Sequence, residues 1–140
     1  MLNSLFDVVF PQQSCCICRE PGKYGTHKPW CEDCAVNIAR LQNSGNICER
    51  CGKYLEEGKA LCVDCTLRNP PFAIARAVGP YEDQFRIATK VLKFMCRKYL
   101  APKMGSMMAE TVKSEPGYGH LDLIVPVPIA PNSFRTRGFN

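Results

Sequence analysis

Eight cysteines in this chain have the spacing of metal ligands. They form four Cys-x-x-Cys pairs, Cys15/Cys18, Cys31/Cys34, Cys48/Cys51 and Cys62/Cys65, separated by 12, 13 and 10 residues. A tetrahedral zinc ion takes four thiolates at about 2.3 Å, and two intervening residues let one tight turn aim both sulfurs of a pair at a single ion. Each pair is therefore half a site, and four pairs predict two zinc ions. Gly52, directly after Cys51, suits a knuckle in which the backbone passes close to the metal and donates N–H groups to sulfur. The other three pairs lack that glycine.

Two ways of sharing the ions are open. Sequential sharing places Cys15, Cys18, Cys31 and Cys34 at one site and Cys48, Cys51, Cys62 and Cys65 at the other; alternate sharing gives a cross-braced module. The short loops at residues 22–25 and 58–61 favour the sequential form, in which each ribbon closes locally. Cys16 and His27 lie near enough in sequence to substitute as ligands, and the simpler reading makes both bystanders. Redox chemistry uses one Cys-x-x-Cys at a strand-to-helix junction, so four in a row argue against it. A module with so few large apolar residues cannot fold on burial alone, and metal would supply most of its stability.

The elements that carry these residues follow from length and charge. The chain has 140 residues, 18 Lys plus Arg against 13 Asp plus Glu, a net charge of +5 and ten cysteines. No apolar run approaches the roughly 20 residues of a membrane span. Residues 1–10 are apolar but have no basic start, carry Asp7 and lack a small-residue cleavage site before Pro11, so they do not read as a signal peptide. A cytoplasmic location is expected, where cysteines stay reduced. Residues 1–67 hold seven basic and eight acidic side chains, and the remainder eleven and five. With eight thiolates and two zinc ions bound, the first part carries −5 and the second +6, which confines any anion contact to residues after Leu67. The Arg68-Asn69-Pro70-Pro71 stretch reads as a stiff linker. Residues 1–67 form one module and 72–140 another.

Residues 72–79 alternate, with Phe72, Ile74 and Val78 interrupted by Arg76, as an edge strand would. From Glu82 the period becomes helical, with Phe85, Ala88, Val91, Leu92 and Met95 on one face. The opposite face carries Arg86, Lys90, Lys93, Arg97, Lys98 and Lys103, with no acid between Gln84 and Lys103. Phosphate binding and plain solvation both suit that face. Cys96 reads as an ordinary helix residue. A second helix through Leu100, Met104, Met107 and Val112 ends at Pro116-Gly117. Residues 121–128 then form a continuous aliphatic stretch of the kind buried in a parallel sheet. Ligands of such sheets bind beyond the carboxyl ends of strands, which directs attention to residues 126–140. There Arg135, Arg137 and Gly138 are suited to an anionic group such as phosphate.

The paired cysteines, Pro70-Pro71-Phe72, Tyr81 with Leu92-Lys93-Phe94, and Val125-Pro126-Val127-Pro128 followed by Arg135-x-Arg137-Gly138-Phe139-Asn140 together resemble the ComF family, phosphoribosyltransferase-like proteins associated with competence for DNA uptake. The resemblance covers essentially the whole chain. It implies a double zinc ribbon followed by the first part of an α/β type I phosphoribosyltransferase-like domain. Pro126, Val127 and Pro128 would lead into a pyrophosphate-contacting loop, with Arg135, Arg137 and Gly138 on the substrate side. The family's hydrophobic strand ending in an acidic pair and a Thr/Gly-rich phosphate cradle is not found among these residues. The chain thus reads as the N-terminal portion of such a protein, incomplete for catalysis. Magnesium with phosphoribosyl pyrophosphate would be expected only in a full-length relative. The expected partners are single-stranded DNA or a protein of the competence machinery. The alternative is a non-enzymatic zinc-ribbon adaptor that binds nucleic acid, through Arg86, Lys90, Lys93, Arg97 and Lys98, or a protein.

Overall fold

A computed structural model describes residues 14–21, 28–43, 45–56 and 58–140. The readings that concern residues 1–10, the loop 22–25 and His27 lie outside the described residues. The described elements are α1 (Glu32–Gln42), a two-stranded antiparallel hairpin of β1 (Asn46–Ile47) and β2 (Tyr54–Leu55), α2 (Val63–Arg68), α3 (Asp83–Phe94), α4 (Ala101–Ser114) and α5 (Pro131–Arg137). Short 3-10 turns at Lys98–Leu100 and Pro116–Tyr118 lead into and out of α4.

The two ribbons repeat one design. In the first, Cys15 N–H donates to Glu20 O at 2.7 Å and Arg19 N–H to Cys15 O at 3.0 Å; in the second, Cys48 N–H donates to Lys53 O at 2.8 Å and Gly52 N–H to Cys48 O at 2.9 Å. The Ser14–Pro21 bridge of the first ribbon corresponds to the Ile47–Tyr54 pair of the second. The second half of each ribbon is a helix start. Cys31 is the N-cap of α1, with Glu32 and Asp33 in the first turn, and Cys62 is the N-cap of α2, with Asp64 there. Acidic side chains at these positions complement the positive end of the helix dipole.

The cores do not follow the two-module division. Trp30, Cys34 and Ile38 of the first ribbon are buried together with Ala88, Val91, Leu100 and Met107 of the later helices, so one core runs from the first zinc ribbon into α3 and α4. The second ribbon has its own small core of Cys48, Cys62 and Cys65, flanked by Cys51 and Leu55. Amphipathic helices gain most of their stability from packing, and for α3 part of that packing comes from α1.

Two expectations need correction, for residues 72–79 and for Cys96. Residues 72–79 form no strand; the segment is irregular. Its apparent interruption, Arg76, turns inward to pair with Glu115, and Gly79 packs so closely against Phe85 that a Cβ there would lie 2.2 Å from the ring. The stretch 68–71, read as a stiff linker, is held in place by hydrogen bonds. Arg50 donates to Asn69 Oδ1, to Pro70 O and, at 3.2 Å, to Phe72 O, and Ala75 N–H returns to Arg50 O at 2.7 Å, which holds the stretch on the second ribbon. Cys96 lies past the end of α3 with φ +51°. The basic series is therefore divided among α3, the following turn and α4.

Residues 121–128, expected as a buried strand, form no strand and are exposed, because they pair with no other strand among the described residues. Leu123, Ile124, Val125 and Val127 are 74–85% exposed. The region after the zinc ribbons is helical, without a parallel sheet among the described residues.

Candidate metal centre

The sulfurs of Cys15, Cys18, Cys31 and Cys34 lie within 4.8 Å of one another, and so do those of Cys48, Cys51, Cys62 and Cys65. Sharing is sequential. The Cys18–Cys31 and Cys51–Cys62 separations are 3.6 and 3.7 Å, against about 3.8 Å for the edge of a tetrahedron with zinc–sulfur bonds near 2.3 Å. All ten cysteines are free thiols, at distances too long for disulfides. Cys16 is buried beside the first cluster without joining it.

Backbone geometry aims the sulfurs. After the first cysteine pair of each ribbon the chain must turn through a left-handed residue: Gly52 has φ +69° and Arg19, at the matching place, has the same φ. Glycine takes that conformation freely. A Cβ on Gly52 would also meet Ala75 O at 2.8 Å, so the knuckle and the clamped 69–76 segment both require it. The second pair of each ribbon needs no such residue because its turn is the first turn of a helix. N–H groups reach the sulfurs from Ile17 to Cys15, from Cys62 to Cys48 and from Cys65 to Cys62, each at 3.4 Å.

Four sulfurs so close together oppose one another's ionisation. Burial raises the Cys15 pKa, but backbone N–H groups of Cys18, Cys31 and Ile17 outweigh it and bring the thiol down to about 6. The backbone N–H of Cys51, with those of Cys62 and Arg50, brings Cys48 down to about 6 against burial. Burial and neighbouring thiols push Cys65 up to about 12 and Cys34 up as well. One thiolate per cluster is favoured and further ionisation is opposed by the charge already present. A divalent cation reverses that balance and is the natural occupant. The two four-cysteine sites fit two zinc ions.

The family model for a double zinc ribbon domain matches residues 5–66. The chain carries a double zinc ribbon. No curated protein and no solved structure matches the chain.

The cations are separate from these centres. Arg86, Lys90, Lys93, Arg97 and Lys98 are all exposed, and none is in an ion pair among the described residues. Lys98 also joins the C-terminal residues: its Nζ donates to Gly138 O at 3.3 Å and lies 5.4 Å from the Phe139 ring, with the Arg137 guanidinium at 6.0 Å from the same ring. Gly138 ends α5 in a left-handed conformation, its N–H donating to Phe134 O at 2.7 Å. Asn140 Nδ2 donates to Val127 O at 3.1 Å, which brings residues 126–128 beside the Arg137–Gly138 end of the chain. Arg135 is exposed, while Pro126 and Pro128 lie along the exposed aliphatic stretch. Sequence reasoning missed this meeting of Lys98 with Gly138, which lie 40 residues apart. It also missed the first ribbon's contact with α3 and α4, for which buried Trp30 was the available signal.

Proposed function

We propose that this is a ComF-like protein of the phosphoribosyltransferase family, cytoplasmic and associated with DNA uptake, in which residues 1–140 stabilise and present a binding surface without performing transferase chemistry. The observation that supports this is the double zinc ribbon followed by residues 121–128, an aliphatic stretch left exposed, leading to Arg135, Arg137 and Gly138. A segment that apolar is the kind of sequence a parallel sheet buries. The phosphate cradle that transferase chemistry needs, a ring of backbone N–H groups at a Thr/Gly-rich turn, has no counterpart among the described residues. Disrupting Cys48 and Cys62 in the native host should lower the frequency of transformation by added DNA; an unchanged frequency would overturn the DNA-uptake reading. Calorimetric titration of the chain with phosphoribosyl pyrophosphate and magnesium should give no binding, and tight magnesium-dependent binding would overturn the non-catalytic part.

A second reading, a zinc-ribbon adaptor for nucleic acid, is favoured by a different observation: five exposed cations between Arg86 and Lys98, none in an ion pair among the described residues and none opposed by an acid in that stretch. Ribbons would here be the scaffold and the later helices the contact surface. Phosphate contacts release counterions, so affinity for DNA should fall steeply as salt rises. Absence of affinity even at low salt would remove this reading.

A further inference from the structure

A groove of about 590 Å³ lies between the first zinc ribbon and the start of α4, lined by Lys28, Trp30, Glu32, Tyr99, Pro102 and Lys103 among others. Its size falls in the roughly 300–1,000 Å³ range of sites that take small organic groups. Nothing in the metal chemistry uses it. We propose that this groove is a subsite for an unpaired nucleobase of a single-stranded nucleic acid, with Tyr99 as the stacking surface and Lys103 facing the adjoining phosphate; the proposal rests on the nucleic-acid reading above.

The ring and the charge around it argue for this class of ligand. Tyr99 is 45% exposed although its neighbour Leu100 is fully buried, so the backbone is fixed while the ring stands at the groove. Every base offers a π-face, so an exposed aromatic ring beside cations holds single strands with little regard to sequence. In a duplex those faces are already stacked, so the groove would discriminate against it. Lys28 is neutralised by Glu32 at 3.0 Å, whereas Lys103 has no ion-pair partner among the described residues. Arg97 and Lys98 immediately precede Tyr99 in the chain. The zinc-loaded first site carries −2 behind this wall, so phosphates must remain on the outer, Lys103 side.

The single tryptophan of the chain, Trp30, lines the groove, and its fluorescence reports occupancy directly. The experiment titrates the zinc-loaded chain with a thymidine dodecamer and with a duplex of equal length at low salt. The single strand should quench Trp30 saturably and bind more tightly than the duplex. Tyr99→Leu should weaken single-strand affinity by about 5- to 100-fold while leaving duplex affinity unchanged, and Tyr99→Phe should retain the wild-type value. Lys103→Ala, at an exposed position, tests the site where Tyr99→Leu fails to hold two zinc ions; it should weaken the single strand more than the duplex. Salt-dependent DNA binding that is indifferent to Tyr99→Leu and Lys103→Ala would overturn the subsite and leave the nucleic-acid reading standing. No binding of either DNA at low salt would overturn both.

Discussion

Arg76 and Glu115 form an ion pair between the segment that leaves the second zinc ribbon and the end of α4, and their side chains are only 11% and 20% exposed. The other ion pairs among the described residues are more than 60% exposed on both sides, where such pairs contribute little. The Arg76 guanidinium, helped by the Gly117 N–H, holds the Glu115 carboxyl below its ordinary value. A depressed folded-state pKa adds stability that is fully present above the ordinary carboxylate range and is lost as pH falls through the folded value. Glu115→Gln should therefore lower Tm at pH 7, and the gap from wild type should narrow as pH falls below about 4.3. Comparing the two proteins at each pH cancels acid release of zinc, which both share. A gap that stays constant with pH would show that the pair is not what Glu115 contributes.

Metal content separates ligands from bystanders. Cys48→Ser should reduce zinc from two ions per chain to one, because it removes the thiol most readily ionised in the second cluster. Cys16→Ala and Cys96→Ser should each retain two. Elemental analysis of protein purified without chelators checks all three, and loss of an ion from Cys16→Ala would mean that the first site uses a different ligand set.

The shared core predicts that packing and metal retention are linked at one site only. Leu100 is fully buried in the core that includes Cys15 and Cys34. Leu100→Ala should cost about 2–5 kcal/mol and speed zinc transfer from the first cluster to a chromogenic chelator. The rate from the second cluster, whose core contains none of these residues, should not change.

If the second functional reading holds, charge reversal on α3 has a defined signature. Lys90→Glu with Lys93→Glu should reduce the slope of log affinity against log salt for duplex DNA by about 1.8, since each phosphate contact accounts for about 0.9. An unchanged slope would mark these lysines as solvated surface.

The metal centres are legible in the sequence because ligand spacing is local: two residues between thiols suffice to aim a pair, and short connections favour closing each ribbon on itself. Helix positions are legible at Phe85, Ala88 and Val91 because one face repeats with the helical period. The relationships that escape are long-range. Arg76 looks like an interruption in a strand because its partner lies 39 residues away. Residues 68–71 read only as a stiff linker because Arg50, which holds Asn69 and Pro70, belongs to a ribbon whose only evident task is metal. Cys31 and Cys62 look like further knuckles because a pair at a helix start has the same spacing as a pair in a turn. The division near residue 70 reflects composition, which does not report that Trp30 and Ile38 share a core with Val91 and Met107.

That shared core also sets an order of events during synthesis. The earliest ligands to leave the ribosome, those of the first site, have packing partners that emerge more than fifty residues later, at Ala88 through Met107. The core and the clamp of the second ribbon both lie within residues 48–75. Domains form as their residues become available, so the second ribbon reaches its final state first. The first ribbon must hold its zinc with an open flank until α4 has emerged, which makes it the site at which a nascent chain is most exposed to the wrong metal or to an oxidant.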